Sequence, residues 1–314
     1  MKRKKLITSN TLTFQEGFTE FIYSCKVRNL REGTIKHYEQ GYKSIARYFD
    51  KNIPIEDINK ATVDDFIVKC KDNPDIGEQS LYTYLRDLKT ILRFYMKNGY
   101  LKSFDIPLTK VNKTPIETYS ELEIKQLLKK PNLKQCSFVE YRDYCIVCML
   151  LSSGIRLRSL INIRIKDIDF ENEVAYIQHT KNRKALIIPL NASILKVLKE
   201  WIKQRQHKSD DDFLFCNIYG NQIKKSTLIH SIAEYNKSKG IEKTGIHRFR
   251  HTFAKQWILN GGNVVTLSKM LGHSGLDITQ NYINMLVSDI KREVDKLDII
   301  ATYQSQYIKL NHKR

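Results

Sequence analysis

The sequence lacks any apolar stretch long enough to cross a membrane. Its longest apolar run, from Tyr144 to Leu151, is far shorter than the roughly 18 residues that a membrane-spanning helix needs. The basic opening, Met1 to Lys5, leads into polar residues and not into the hydrophobic segment of a signal peptide. We therefore expect no membrane-spanning segment, and the sequence indicates a cytoplasmic protein.

Cysteine is scarce and poorly placed for metal binding. The chain has 6 cysteines in 314 residues, and its one CxxC pair, Cys145 and Cys148, has no second Cys or His pair at zinc-finger spacing. This pair lies inside the apolar run, where a free cysteine behaves as a small hydrophobic side chain. We therefore expect no bound metal and no cofactor.

Acidic residues are outnumbered. The chain has 53 Lys and Arg against 34 Asp and Glu, which gives a net charge of +19 and a pI near 9.5. Such a chain repels itself unless a polyanion neutralises it, so nucleic acid is the leading class of partner. A lysine-rich solvated surface is the alternative that charge alone leaves open.

The length predicts about two domains, and the first of them is helical. From Thr13 to about Lys97 the apolar residues recur at helical spacing. Four helices are predicted here, including one from Ala61 to Cys70 and one from Leu81 to Met96. We expect residues 1–103 to form a four-helix domain.

A linker follows at 104–118. The segment from Asn98 to Tyr119 contains two prolines and a glycine and has no sustained apolar period. Ser120 is followed three residues later by Glu123, which is the signature of a capping box at a helix start. The second domain is therefore expected at 119–314.

The second domain is predicted to be mixed. A buried helix around Tyr141–Ser153 precedes three short strand-like segments, and helical spacing then resumes. The fold class is mainly α with a small antiparallel β-sheet. The expected strands and later helices are Ile168–Phe170, Val174–Ile177, Leu186–Leu190, Ile194–Gln204, Ser226–Lys237, Arg248–Leu259, Val264–Leu271 and Ile278–Leu286.

One tetrad, His247-Arg-Phe-Arg250, opens a helix after Thr244-Gly245. His247 and Arg250 are three residues apart and share a helix face, and a helix N-terminus favours anions. The arrangement suits a phosphate group. A surface turn remains the alternative, as does a metal site using His247 and His251, although the glutamate of an HExxH zinc motif is missing.

The segments of the second domain resemble the tyrosine recombinase family, which includes phage integrases and Xer resolvases. The residues that carry the resemblance occur in order in Ser153-Gly-Ile-Arg156, in a predicted hairpin tip from His179 to Lys184, in His247-Arg-Phe-Arg250, in Leu271-Gly-His273 and at Tyr282. The resemblance implies a core-binding helical domain followed by a mixed α/β catalytic domain. It assigns six catalytic residues, which are Arg156, Lys181, His247, Arg250, His273 and Tyr282.

Further basic residues lie close to Arg156 and Lys181 in the sequence. Arg158 is the neighbour of the catalytic candidate, and Lys184 is the register alternative to Lys181. The residue three after Arg156 is commonly acidic in the family, whereas here it is Ser159. The orientation of Arg156 is therefore expected to depend on other contacts.

The resemblance implies DNA cleavage through a 3′-phosphotyrosine. Arg156 and Arg250 would hold the non-bridging oxygens, and His273 would hydrogen-bond the phosphate. A phenol has a pKa near 10, so Tyr282 needs cations and an imidazole, His247, to accept its proton. Lys181 would protonate the departing 5′-oxygen, without metal or ATP.

The resemblance also implies assembly on DNA. A helical apolar stripe in Ser288–Thr302 could cover the core of its own domain, but the resemblance favours contact with a neighbouring subunit. The expected assembly is a synaptic tetramer bound to double-stranded DNA at a specific core site. The main hypothesis is an integrase or resolvase of a mobile element. A Xer-type chromosome-dimer resolvase, a type IB topoisomerase-like nicking-closing enzyme and a non-catalytic DNA-binding protein are the alternatives.

Overall fold

A computed structural model describes residues 12–111, 117–178 and 185–272. The chain divides into two compact units, Met1–Thr114 and Pro115–Arg314. The division falls inside the segment predicted as a linker. Within the described residues no helix is long and apolar enough to span a bilayer.

The first unit contains the four predicted helices. A capping box starts the first of them, with Thr13 accepting from the backbone N–H of Glu16 while the Glu16 carboxylate accepts from that of Thr13. Asn59 caps the third helix in the same way. The helices are α1 (Phe14–Val27), α2 (Glu32–Ile45), α3 (Lys60–Lys71) and α4 (Glu78–Lys97).

The core of this unit is aromatic and continues past α4. Tyr95 is fully buried and its hydroxyl donates to the carbonyl of Phe14 at 3.0 Å, which ties α4 to the start of α1. Leu101 and Ile106 are also buried in this core. The beginning of the predicted linker therefore packs against the helical unit.

The second unit is the predicted mixed domain. In its described residues a three-stranded antiparallel sheet has the order β1-β2-β3, with Ile177 opposite Leu186. The elements are α5 (Glu121–Leu127), α6 (Phe138–Ser153), α7 (Leu157–Leu160), β1 (Ile168–Asp169), β2 (Val174–Ile177), β3 (Leu186–Pro189), α8 (Ala192–Gln204), α9 (Lys225–Ser238), α10 (Ile246–Leu259) and α11 (Val264–Leu271).

Helix α6 is the centre of the second unit, and it packs against α8, α9 and α10. Cys145 and Cys148 are buried in it, and burial raises the pKa of the Cys148 thiol to about 11. At neutral pH this thiol is protonated and unreactive. The expectation that the CxxC pair belongs to a buried helix is confirmed.

A buried ion pair on α6 is hydrogen-bonded to α9. Arg142 and Asp143 are 3% and 2% exposed, and Arg142 Nη2 lies 2.7 Å from Asp143 Oδ1. The hydroxyl of Ser231 on α9 donates to the other Asp143 oxygen and accepts from Arg142 Nη2. A charged pair at this depth depends on such additional hydrogen bonds.

Some predicted elements lie outside the described residues. These are the hairpin tip 179–184, the helix Ile278–Leu286 and the apolar segment Ser288–Thr302.

Candidate active site

The site begins where α6 ends. Gly154 terminates the helix in the left-handed conformation with φ of +59°, as glycine commonly does. A Cβ at this position would lie 2.6 Å from Phe253 Cδ1 and 2.8 Å from Leu271 Cδ2. Only glycine fits here, and it turns the chain so that half-buried Arg156 precedes the short helix α7.

Arg156 is fastened to the end of α11. Its Nη2 donates to the carbonyl oxygen of Gly272 at 2.9 Å. Gly272 is also left-handed, with φ of +60°, and a Cβ on it would lie 3.2 Å from Arg156 Nη1 and 3.2 Å from Leu186 Cδ2. The start of β3, the end of α11 and the Arg156 guanidinium therefore meet at one point.

Arg250 reaches the same place from α10. It is 7% exposed, and its Nη1 donates to the carbonyl of Gly154 and its Nη2 to that of Leu271, each at 2.7 Å. These carbonyls lie at the C-terminal ends of α6 and α11, where the helix dipole favours a cation. Two helix ends thus fix the plane of the Arg250 guanidinium.

His247 lies on the first turn of α10, and part of its side chain is exposed. Its pKa is lowered, first by partial desolvation and then by the positive charges of Arg250, Lys225 and Arg156. A nearby cation disfavours a second positive charge, and so does removal from water. The His247 imidazole is therefore held in its neutral form at neutral pH.

Two further residues lie near this cluster: Lys225, which the sequence did not mark, and His251, which it offered only as a metal ligand. Lys225 begins α9, and its charge acts on His247 across the fold. The pKa of His251 is lowered to about 4, by burial first and then by His247, Arg250 and Arg248. Lysine is so frequent in this sequence that composition could not mark Lys225 as special.

The structure thus brings Arg156, His247 and Arg250 together. Ser159 is buried on α7. The remaining catalytic candidates Lys181, His273 and Tyr282, and the alternative Lys184, lie outside the described residues.

Comparisons with known proteins identify the family. Residues 118–288 match the phage integrase family, and residues 13–116 match the phage integrase SAM-like domain. The chain belongs to the phage integrase family, whose members are tyrosine recombinases. It is an enzyme of site-specific recombination, as the sequence predicted, in a family that cleaves and rejoins DNA.

Individual relatives support this assignment. The chain is 27% identical over 285 residues to tyrosine recombinase XerA of Saccharolobus solfataricus, covering 88% of this chain and 90% of the relative. It is 28% identical over 216 residues to a probable integrase/recombinase of Acholeplasma phage L2, covering 68% and 72%. The crystal structure of a lambda integrase tetramer bound to a Holliday junction matches with a TM-score of 0.69 at 15% identity, covering 90% and 81%, which confirms the fold.

Proposed function

We propose that Arg156, Lys181, His247, Arg250, His273 and Tyr282 form one active site that cleaves DNA through a 3′-phosphotyrosine. The observation that carries the proposal is the pair of guanidiniums at the end of α11. Arg156 donates to the carbonyl of Gly272, and Arg250 donates to the carbonyl of Leu271. Gly272 comes directly before His273 and ten positions before Tyr282 in the sequence.

The arginines supply the electrostatic part of the reaction. When an alcohol attacks a phosphodiester, negative charge increases on the non-bridging oxygens. Guanidiniums bind such oxygens in bidentate geometry. Because the carbonyls of two helix ends already orient Arg250, little reorganisation is needed when the transition state forms.

His247 accepts the proton of the Tyr282 hydroxyl. The low pKa of His247 keeps a neutral imidazole available, and the surrounding cations stabilise the phenolate oxygen. The tyrosine oxygen forms a bond to phosphorus as the bond from phosphorus to the 5′-oxygen breaks. His273 hydrogen-bonds the phosphate.

Lys181 donates a proton to the departing 5′-oxygen. This role is supported by Leu186, five residues later, which lies beside Gly272, the residue whose carbonyl binds Arg156. The start of β3 therefore lies close to the guanidinium of Arg156. Lys184 is the alternative donor on the same connection between β2 and β3.

The covalent intermediate conserves the energy of the phosphodiester bond. A 5′-hydroxyl from a partner strand attacks the 3′-phosphotyrosine and releases Tyr282, so strand exchange requires neither ATP nor metal. We propose that the substrate is double-stranded DNA with a specific core site, in the cytoplasm. The net charge of +19 and the fold shared with a DNA-bound tetramer support a tetramer on DNA, with Ser288–Thr302 contacting a neighbouring subunit.

Within the family, we propose an integrase or resolvase of a mobile element. The similarity to the phage L2 protein supports this assignment. The similarity to XerA supports the alternative of chromosome-dimer resolution. A type IB topoisomerase-like nicking-closing enzyme would use the same chemistry on one duplex without a preferred site.

A pool of nicked duplexes with a randomised centre tests the proposal. Wild-type protein and Tyr282→Phe are incubated with the pool, denatured in detergent and separated from free DNA. We expect protein-linked DNA of enriched sequence from the wild type and none from Tyr282→Phe. Linked DNA without any enriched sequence would favour the topoisomerase alternative. If the wild-type protein binds the DNA but forms no covalent link to it, the protein would be a non-catalytic DNA-binding protein.

A further inference from the structure

The helix that bears His247 and Arg250 starts without a side-chain cap. Gly245 is the N-cap residue of α10, and glycine has no side chain that could accept a hydrogen bond from the first N–H groups of the helix. Other helices of this unit have such caps, as Ser120 provides for α5. The orientation of the first turns of α10 must therefore come from other contacts.

Those contacts come from the first described residues of the second unit. The backbone N–H of Tyr119 donates to Thr252 Oγ1 at 3.0 Å, and Thr252, 1% exposed, lies in the second turn of α10. The Tyr119 ring lies on Phe249 with centroids 4.8 Å apart. A single buried residue thus contacts two consecutive turns of α10.

The Tyr119 hydroxyl also holds the loop before α10. It donates to the carbonyl of Lys243 at 3.3 Å and accepts from Asn236 Nδ2 at 2.8 Å. Asn236 Nδ2 donates in addition to the same Lys243 carbonyl at 2.9 Å. Because Asn236 is on α9, this buried network joins the entry segment to α9 and to the approach to α10.

Charged side chains lie around the contacts that Tyr119 makes. Arg248, between His247 and Phe249, donates from Nη1 to the carbonyl of Glu117 and lies 3.8 Å from its carboxylate. Lys243 lies between the carboxylates of Glu117 and Glu123, at 3.8 and 3.3 Å. The exposed side of the α10 start is thus fixed by the same segment as its buried side.

We propose that the entry segment Glu117–Tyr119 is a positioning element for the active site, with Tyr119 setting the place of His247 and Arg250. This inference rests on the proposed roles of those two residues. Tyr119 touches no reacting atom, and it acts through Phe249 and Thr252. A displacement of about 1 Å in such groups reduces rates by about a hundred-fold.

The chain provides a matched control in Tyr235. This tyrosine is 4% exposed in the same unit, and its hydroxyl donates to the carbonyl of Leu127 at 2.8 Å, on α5 and not on α10. The comparison uses Tyr119→Leu and Tyr119→Phe against Tyr235→Leu and Tyr235→Phe. The Phe variants retain the ring and lose only the hydroxyl contacts, and the backbone N–H that donates to Thr252 remains in both Tyr119 variants.

Two readouts separate positioning from general stability. The first is the rate of covalent DNA linkage at saturating DNA. We expect Tyr119→Leu to be slower by about ten-fold or more, Tyr119→Phe to recover most of the rate, and Tyr235→Leu to stay within about two-fold at a comparable loss of stability. Equal slowing by the two Leu variants would overturn the inference.

The second readout does not depend on activity. NMR titration of His247 in the free protein, assigned with His247→Gln, reports its surroundings, which include Arg250 and His251 on α10, Lys225 on α9 and Arg156 before α7. We expect its pKa to rise toward the ordinary value in Tyr119→Leu and to stay unchanged in Tyr235→Leu. An unchanged pKa in Tyr119→Leu would overturn the inference even if the wild type forms no DNA adduct. If Tyr119→Leu does not fold, Thr252→Val carries the test, because it removes the acceptor of the Tyr119 backbone N–H. We expect the pKa of His247 to rise in this variant, and an unchanged pKa would overturn the inference.

Discussion

The guanidinium of Arg250 donates to the carbonyl oxygen of Gly154 at 2.7 Å. This contact joins the end of a buried helix to an arginine 96 positions later in the chain. The same guanidinium bonds to Leu271, so one side chain connects the ends of α6 and α11. The catalytic proposal depends on this convergence.

Gly154→Ala is expected to disturb both stability and cleavage. The left-handed conformation costs an L-residue about 1–2 kcal/mol, and overpacking against Phe253 and Leu271 adds about 1–3 kcal/mol. The matched control is Gly240→Ala, because Gly240 has φ of +75° but no atom within 4 Å of an added Cβ.

Denaturant unfolding and the rate of DNA linkage measure the two effects. We expect Gly240→Ala to lose only the backbone contribution and to keep its cleavage rate. Equal effects of the two substitutions would show that the close packing around Gly154 does not support the Arg250 contact.

Arg156→Lys is expected to slow DNA linkage at saturating DNA by about a hundred-fold or more, the order found when one transition-state donor is removed. Lysine keeps the charge but cannot provide the planar pair of donors. Exposed Arg158 supplies the control, because Arg158→Lys makes the same chemical change two residues away. If Arg158→Lys links DNA slowly and Arg156→Lys does not, Arg158 would be the catalytic arginine in place of Arg156.

The acid limb of cleavage is expected to shift when Lys225 loses its charge. Partial burial, and then the charges of Arg250, Lys225 and Arg156, lower the pKa of His247, so a neutral base is present below the ordinary histidine pKa of about 6.5. Lys225→Gln removes one of these charges. The pKa of His247 then rises, and the activity is lost at a higher pH than in the wild type.

The pH dependence of kcat/KM measures this shift, because its acid limb reports the free enzyme. Lys224→Gln is the control, as the neighbouring exposed lysine is not among the charges that act on His247. Coincident profiles for wild type and Lys225→Gln would contradict the proposed base.

Asp143→Ala is expected to destabilise the second unit by about 3–5 kcal/mol, because it leaves the buried charge of Arg142 without its partner. The exposed pair Lys237–Glu234, at 3.0 Å, provides the comparison. Glu234→Ala should cost no more than about 1 kcal/mol. Thermal unfolding of both variants measures the difference, and a small effect of Asp143→Ala would mean that water solvates Arg142.

Local sequence patterns were sufficient for most of the architecture. Helical spacing and the capping box of Ser120 and Glu123 predicted helices where they are found, because both signals depend on residues close together in the chain. The order of the motifs also identified Arg156, His247 and Arg250, which the structure brings together.

The sequence could not reveal the contacts that orient these residues. The acceptors of Arg156 and Arg250 are backbone carbonyls of Gly154, Leu271 and Gly272, and every residue type has a carbonyl. The contact of Tyr119 with Thr252 spans 133 positions, so no local period contains it. Such contacts arise only from tertiary packing.

Mass spectrometry of the protein-linked DNA tests the central claim most directly. After linkage to the randomised duplex pool, the adduct is digested with nuclease and protease, and the modified peptide is sequenced. The account predicts that a single nucleotide is joined through its 3′-phosphate to the side-chain oxygen of Tyr282. A nucleotide on any other residue, or an undiminished adduct in Tyr282→Phe, would contradict it.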